Sequence, residues 1–180
     1  MELLTAANQL TLVRLLLVPC LVALVVYGFS GWALIVFIFA GVTDVLDGLI
    51  ARRAGQRTKL GAWLDPMADK LLLVSMFVVL TAPLDMANRL PIWLTLLVLS
   101  RDILIVLTAA VINLAIERRV FYPSTLGKVA TLVYVVTCAV VLFFNYLERS
   151  SAFVDAAVYA SLAITLASGI HYIVLAVRQI

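Results

Sequence analysis

The apolar positions of the chain fall into six long runs separated by short polar breaks: Leu10–Tyr27, Trp32–Ile50, Leu60–Leu80, Pro91–Ile116, Leu126–Tyr146 and Phe153–Val177. Each is close to the roughly 20 residues that an α-helix needs to cross the hydrocarbon core of a bilayer. The breaks carry turn chemistry. Gly28-Phe29-Ser30-Gly31 reads as a tight turn, and Ala82-Pro83 closes the third run. Pro91 suits a first helical position, and Pro123-Ser124-Thr125 a helix start with a hydroxyl available for capping. Residues 1–8 read as a short interfacial segment ahead of the first run. The pattern predicts an all-α integral membrane protein, six transmembrane helices in one bundle. Residues 1–180 then form a single domain, with no linker or low-complexity tract to mark a second.

Composition points to the same solvent. Of 180 residues 65% are apolar and 13% charged, and the charged share is about half that of an ordinary soluble domain. A water-soluble chain this short has too much surface to hide that much apolar area. Cys20 and Cys138 lie inside apolar runs, without metal-ligand or disulfide spacing, and read as small buried hydrophobes. The first run lacks the basic flank and small-residue cleavage site of a signal peptide.

The net charge of +3 is informative through its distribution. Arg52, Arg53, Arg57 and Lys59 follow the second run, and Arg118, Arg119 and Lys128 follow the fourth, whereas the opposite loops hold little beyond Arg89 and Arg149. Lys and Arg concentrate on the cytoplasmic side of membrane proteins. The bias predicts both termini cytoplasmic, with Arg14 and Arg178 on that side too.

Four acids sit within or beside the apolar runs: Asp44, Asp47, Asp65 and Asp69. One Asp at a helix centre costs about 2.5–3.5 kcal/mol on insertion scales, so four need a compensating partner. Asp44 and Asp47 are three apart and Asp65 and Asp69 four apart, which puts each pair on one helix face. The short Arg52–Leu60 connection predicts that the second and third helices are antiparallel neighbours, with both pairs converging at the cytoplasmic end. Carboxylates so gathered stay ionised only with cations between them, and an all-oxygen set without His or Cys favours Mg²⁺ or Mn²⁺ over zinc. The competing arrangement pairs each Asp with a nearby Arg or Lys.

Gly48 and Gly61 lie beside these acids, although a helical glycine costs about 1 kcal/mol relative to alanine. Close approach of a phosphate or ribose to the backbone is one reason for them, and tight helix packing in lipid is the other. Arg52 reads either as a phosphate-binding cation or as a topology anchor. His171, in the last run, reads as a packing or interface residue. A cation-coupled transporter would also carry intramembrane acids, but spread through the membrane depth rather than gathered at one face.

Read together, these residues are Asp44-Val45-Leu46-Asp47-Gly48-Leu49-Ile50-Ala51-Arg52, eight residues, then Gly61-Ala62-Trp63-Leu64-Asp65-Pro66-Met67-Ala68-Asp69. The stretch matches every fixed position of the signature of the CDP-alcohol phosphotransferase family. The lead-in Asn8-Gln9-Leu10-Thr11-Leu12-Val13-Arg14 is similar to the family's Asn/Thr/Arg element. With the six-run layout, the resemblance covers essentially the whole chain.

The resemblance implies a site and a reaction. Asp44, Asp47, Asp65 and Asp69 would hold two divalent ions, Mg²⁺ or Mn²⁺, with Asp69 also the general base. Asn8, Thr11, Asp47, Gly48, Ala51, Arg52 and Gly61 would form the pocket for the CDP part of a CDP-activated lipid such as CDP-diacylglycerol. A carboxylate beside the metals accepts the acceptor's hydroxyl proton, the lipid phosphate is transferred, and CMP departs. Arg101, Arg118, Arg119 and Lys128 are the cations available to an acceptor phosphate.

The Ser100-Arg101-Asp102 and Pro123–Lys128 stretches are similar to bacterial phosphatidylglycerophosphate synthases, which implies glycerol 3-phosphate as acceptor. Those enzymes commonly carry Arg-Glu where this chain has Arg101-Asp102, and some carry another Arg where it has Thr108. Arg101-Asp102 also resembles the family's cardiolipin synthases, whose acceptor is phosphatidylglycerol. The family further implies a homodimer in a bacterial inner (cytoplasmic) membrane, with the active site at the cytoplasmic face. No nucleic-acid partner is expected.

Overall fold

The computed structural model describes the backbone of residues 6–54, 59–115 and 125–177, and the side chains of residues 9, 11–43, 66–107 and 125–174. The described residues form six helices and no strand: α1 Ala6–Val26, α2 Ser30–Ala54, α3 Lys59–Thr81, α4 Ile92–Ala115, α5 Thr125–Tyr146 and α6 Ala152–Val177. All six expected elements are present, with ends shifted by a few residues. Helix α1 starts earlier than its apolar run, so Ala6–Asn8 form its first turn; residues 1–5 of the expected interfacial segment lie outside the described set. Pro91 sits one position before α4, its carbonyl accepting the Leu94 and Thr95 amides. Ser124 lies outside the described residues.

Three connections gather at one end of the bundle. Helix α1 stops in a Schellman motif: the Phe29 amide donates to the Leu24 carbonyl at 2.8 Å and the Gly28 amide to Val25 at 3.0 Å, with Gly28 at φ 79°. Helix α5 ends in the same way, the Arg149 amide reaching the Phe144 carbonyl at 3.1 Å, with Glu148 in the left-handed position at φ 51°. The α3–α4 connection is tied to this second turn. The Asn88 amide donates to Asn145 Oδ1 at 2.7 Å, and Asn88 Nδ2 donates to the Arg149 carbonyl at 2.7 Å. The opposite end therefore holds the starts of α1, α3 and α5 and the ends of α2, α4 and α6.

At the turn-rich end a Cβ added to Gly31 would stand 2.7 Å from Tyr146 Cδ2, closer than real contacts allow. The Tyr146 ring is exposed and swings partly aside, so Gly31→Ala is expected to cost about 1 kcal/mol, the low end for overpacking. It should lower the unfolding temperature in detergent by a few degrees. Turnover at permissive temperature should be unchanged, because this is the end remote from the acid motif.

Polarity is arranged inside out. The interior holds Leu21, Phe37, Met76, Phe77, Leu80, Leu94 and Leu142, but also hydroxyl pairs between helices. Tyr134 Oη and Thr165 Oγ1 are 2.6 Å apart, Thr137 Oγ1 and Ser161 Oγ 2.8 Å. Every helix instead exposes large apolar side chains, among them Leu16, Ile35, Leu71, Leu104, Leu132 and Ile170. Such a surface is suited to lipid rather than water. Among the described residues, Thr125–Tyr146 and Ala152–Val174 are long and apolar enough to cross a membrane; Thr11–Val26 and Ser30–Thr43 are shorter apolar helical stretches. Cys138 is buried as expected, but Cys20 is exposed: the inward face of α1 is taken by its neighbours Val18 and Leu21.

Among the described residues α2 and α3 do not pack on each other; both pack against α1 and α5, while α4 packs against α3 and α6, and α6 against α5. Helix α1 stands between the two acid-bearing helices on one side and α5 on the other, which leaves room between them.

Candidate active site

Position 44 to the end of α2 and position 61 onward in α3 are helical, so the spacing of the motif becomes a placement. Positions 44, 47, 48 and 51 follow one face of α2, and 61, 65 and 69 one face of α3, at the end away from the three gathered turns. The side chains of Asp44, Asp47, Gly48, Ala51, Arg52, Gly61, Asp65 and Asn8 lie outside the described residues, as do Arg118 and Arg119 entirely. Pro66 stands inside α3 between Asp65 and Asp69; lacking an N–H, it leaves the carbonyl four residues earlier without its helical donor.

Asp69 is the motif acid whose side chain is described. Arg14 Nη1 donates to its Oδ1 at 2.5 Å, with the Arg14 side chain 2% exposed and the Asp69 side chain 40% exposed. Arg14 lies three residues after Thr11, itself 1% exposed, so the lead-in motif turns inward along α1 toward the acid. For this one acid the pairing with an arginine is realised, across 55 residues of sequence. The guanidinium orients the carboxylate without covering it, because Asp69 still lines two cavities.

The larger cavity, about 610 Å³, occupies the space between α2 and α3. It is walled by Arg14, by Phe37–Val42 of α2, by Asp69, Leu72 and Leu73 of α3, and by residues of α5 from Lys128 to Ala139. Its walls are apolar except for Arg14, Asp69, Lys128 and Thr131. The smaller cavity, about 290 Å³, lies between α3, α4 and α5, and Lys70, Arg101, Asp102 and Tyr134 give it polar walls.

Arg101 is held from three directions. Its Nε donates to Ser168 Oγ at 3.1 Å, its Nη1 to Asp102 Oδ1 at 2.7 Å, and its guanidinium carbon lies 5.7 Å from the centre of the Tyr172 ring. Asp102 Oδ2 lies 3.7 Å from Lys70 Nζ. Nη2 of Arg101 is buried with no hydrogen-bond partner among the described residues, a position from which it can donate to an anionic oxygen. The anticipated acceptor cations are thus divided: Arg101 lines the smaller cavity and Lys128 the larger, with Asp69 common to both. Lys70 is the site residue that the sequence did not single out, while Arg14 and Asp102 were named in their motifs without a role at the site. A cue was present for Arg14, a charged residue within an apolar run and three positions after Thr11.

Among the described residues no three acid, His or Cys side chains gather; three of the four motif acids are outside that set. The donor types themselves, carboxylates from two helix faces at one bundle end with Asp69 partly exposed between the cavities, fit a hard divalent cation.

The chain matches the family model described as CDP-alcohol phosphatidyltransferase over residues 4–174. A probable phosphatidylglycerophosphate synthase of Mycobacterium tuberculosis is 37% identical over 186 aligned positions, which span 97% of this chain and 82% of that protein. A cardiolipin synthase (CMP-forming) of Streptomyces coelicolor is 39% identical over 138 positions, 71% of this chain and 60% of that one. Human cardiolipin synthase (CMP-forming) is 42% identical over 125 positions, 69% of this chain and 39% of that protein.

Proposed function

The chain belongs to the CDP-alcohol phosphatidyltransferase family, and we propose that it is a phosphatidylglycerophosphate synthase, transferring phosphatidyl from CDP-diacylglycerol to glycerol 3-phosphate with release of CMP. The observation that carries this choice of acceptor is the buried guanidinium of Arg101, its Nη2 without a partner among the described residues, at the wall of a small cavity shared with Asp69. A phosphate dianion supplies the oxygens that such a donor lacks. The relative matched over most of both chains bears the same activity in its name.

In this reading Asp69 takes the proton from the acceptor hydroxyl as that oxygen forms a bond to the β-phosphorus of the donor. The bond from that phosphorus to the CMP oxygen breaks, and CMP leaves with the electron pair. Arg14 fixes the orientation of the Asp69 carboxylate. Asn8, Thr11, Asp47, Gly48, Ala51, Arg52 and Gly61 seat the CDP part. Asp44, Asp47, Asp65 and Asp69 hold two ions, Mg²⁺ or Mn²⁺, which when bound neutralise charge on the pyrophosphate. Arg101 binds the acceptor phosphate, aided by Arg118 and Arg119, with Lys128 facing Asp69 from the other cavity. The Lys and Arg bias supports six spans with both termini and the site on the cytoplasmic face of a bacterial inner membrane, where the protein is read as a homodimer.

The second reading is a cardiolipin synthase with phosphatidylglycerol as acceptor, favoured by the two relatives so named. An acceptor panel separates them. Purified protein is given CDP-diacylglycerol with glycerol 3-phosphate, phosphatidylglycerol, inositol phosphate or serine, and the product lipid is weighed by mass spectrometry. Phosphatidylglycerophosphate is the expected product. Cardiolipin formed without it would select the second reading.

A further inference from the structure

The two cavities share three lining residues: Asp69, Leu73 and Thr131. Leu73 lies one helical turn beyond Asp69 on α3, and Thr131 stands opposite on α5. Neither is a core residue. Leu73 is half-buried and Thr131 is exposed, and each has a cavity on both sides. The Thr131 hydroxyl is turned back onto the Gly127 carbonyl at 3.1 Å, so it presents its methyl edge as part of a low wall. The chambers differ in chemistry. The larger is apolar apart from a few residues, Arg14, Asp69 and Lys128 among them, as acyl chains with an anionic head require; the smaller sets Asp69, Lys70, Arg101, Asp102 and Tyr134 among its apolar side chains and is the richer in charge.

We propose that Leu73 and Thr131 form a partition at the α3–α5 seam that keeps the donor's acyl chains in the larger chamber and the acceptor in the smaller one, and so sets acceptor size. The inference rests on the transferase reading above and adds to it the residues that exclude a lipidic acceptor. Asp69, at the end of the partition, is the one described carboxylate that faces both chambers. A small phosphorylated alcohol is matched by the cations of the smaller chamber, Lys70 and Arg101. A diacyl acceptor must put its chains somewhere apolar, and the apolar chamber adjoins the acceptor side at Leu73 and Thr131.

The test uses the full chain, purified in mixed micelles with Mg²⁺. Leu73→Ala, and separately Thr131→Ala, should raise the use of phosphatidylglycerol relative to glycerol 3-phosphate by about tenfold, the scale on which one or two methyl groups gate a pocket. Cardiolipin mass should appear among the products. Gly41→Leu provides the converse probe. Of the two chambers Gly41 lines the larger, and a Cβ there meets no atom within 4 Å, so the side chain starts into open space. It should raise KM for CDP-diacylglycerol about tenfold while leaving KM for glycerol 3-phosphate within about twofold.

If Leu73→Ala does not fold, the exposed Thr131 still gives the answer. The partition is wrong if both alanine variants turn over glycerol 3-phosphate and keep the wild-type acceptor ratio, or if Gly41→Leu raises both KM values alike. Wild-type protein that already takes phosphatidylglycerol freely also overturns it. Wild-type protein that releases no CMP with any acceptor overturns the transferase reading itself, a result distinct from these.

Discussion

Asp69→Asn is expected to lower turnover by about 10²–10⁴-fold, the range lost with a positioned general base. The amide occupies the same volume and keeps an oxygen opposite Arg14 Nη1, which now donates to Asp69 Oδ1 at 2.5 Å. The helix contact is thereby preserved in geometry and weakened in charge. A stability loss of about 1–3 kcal/mol is expected, because Arg14 is buried and a hydrogen bond to a charged group is worth that much. Helix content should be unchanged by circular dichroism, and the variant should elute with the wild-type protein in detergent. Near-normal rates would remove Asp69 from the proton transfer and leave it as the partner of Arg14.

Arg101→Met should raise KM for glycerol 3-phosphate by about 10–100-fold, since hydrogen bonds to a charged group contribute about 1.5–3 kcal/mol. KM for CDP-diacylglycerol should stay near its original value, because Arg101 lines only the acceptor-side cavity. Methionine keeps much of the stem's volume against Tyr172 and α6, and Asp102 retains Lys70 at 3.7 Å. Lysine should rescue poorly, because the guanidinium divides its donors between Ser168, Asp102 and the cavity, which a single ammonium cannot copy. Steady-state kinetics with each substrate varied in turn will show the split. Were both KM values to rise together, Arg101 would be a structural residue holding α4 to α6.

The six helices were legible because lipid imposes a length and an apolar content that no other solvent demands of a chain. The acid motif was legible because its spacings, three and four, are those of a helix face, and α2 and α3 are helical through it. What spacing cannot carry is which helices touch. The Arg14–Asp69 pair joins residues 55 apart on α1 and α3, and the gap between α2 and α3 arises because both lean on α1 and α5. The short α2–α3 connection suggested adjacency, yet a connection limits only the nearest ends of two helices. The hydroxyl contacts of α5 with α6, Tyr134 with Thr165 and Thr137 with Ser161, were hidden for a related reason. Scattered Ser and Thr in an apolar run are tolerated in lipid by bonding to their own helix, and only the packed bundle shows which of them reach across. Glu148 in a left-handed C-cap had no sequence cue; glycine would have announced it.

In the proposed reading the acid-bearing end of the bundle transfers phosphatidyl with the help of divalent ions. CMP release from CDP-diacylglycerol by the purified, EDTA-treated protein tests this most directly, with Mg²⁺ or Mn²⁺ restored in steps and glycerol 3-phosphate present or absent. CMP is expected only when metal and acceptor are both supplied. Release that continues undiminished in EDTA, or that proceeds equally well without an acceptor, would contradict it.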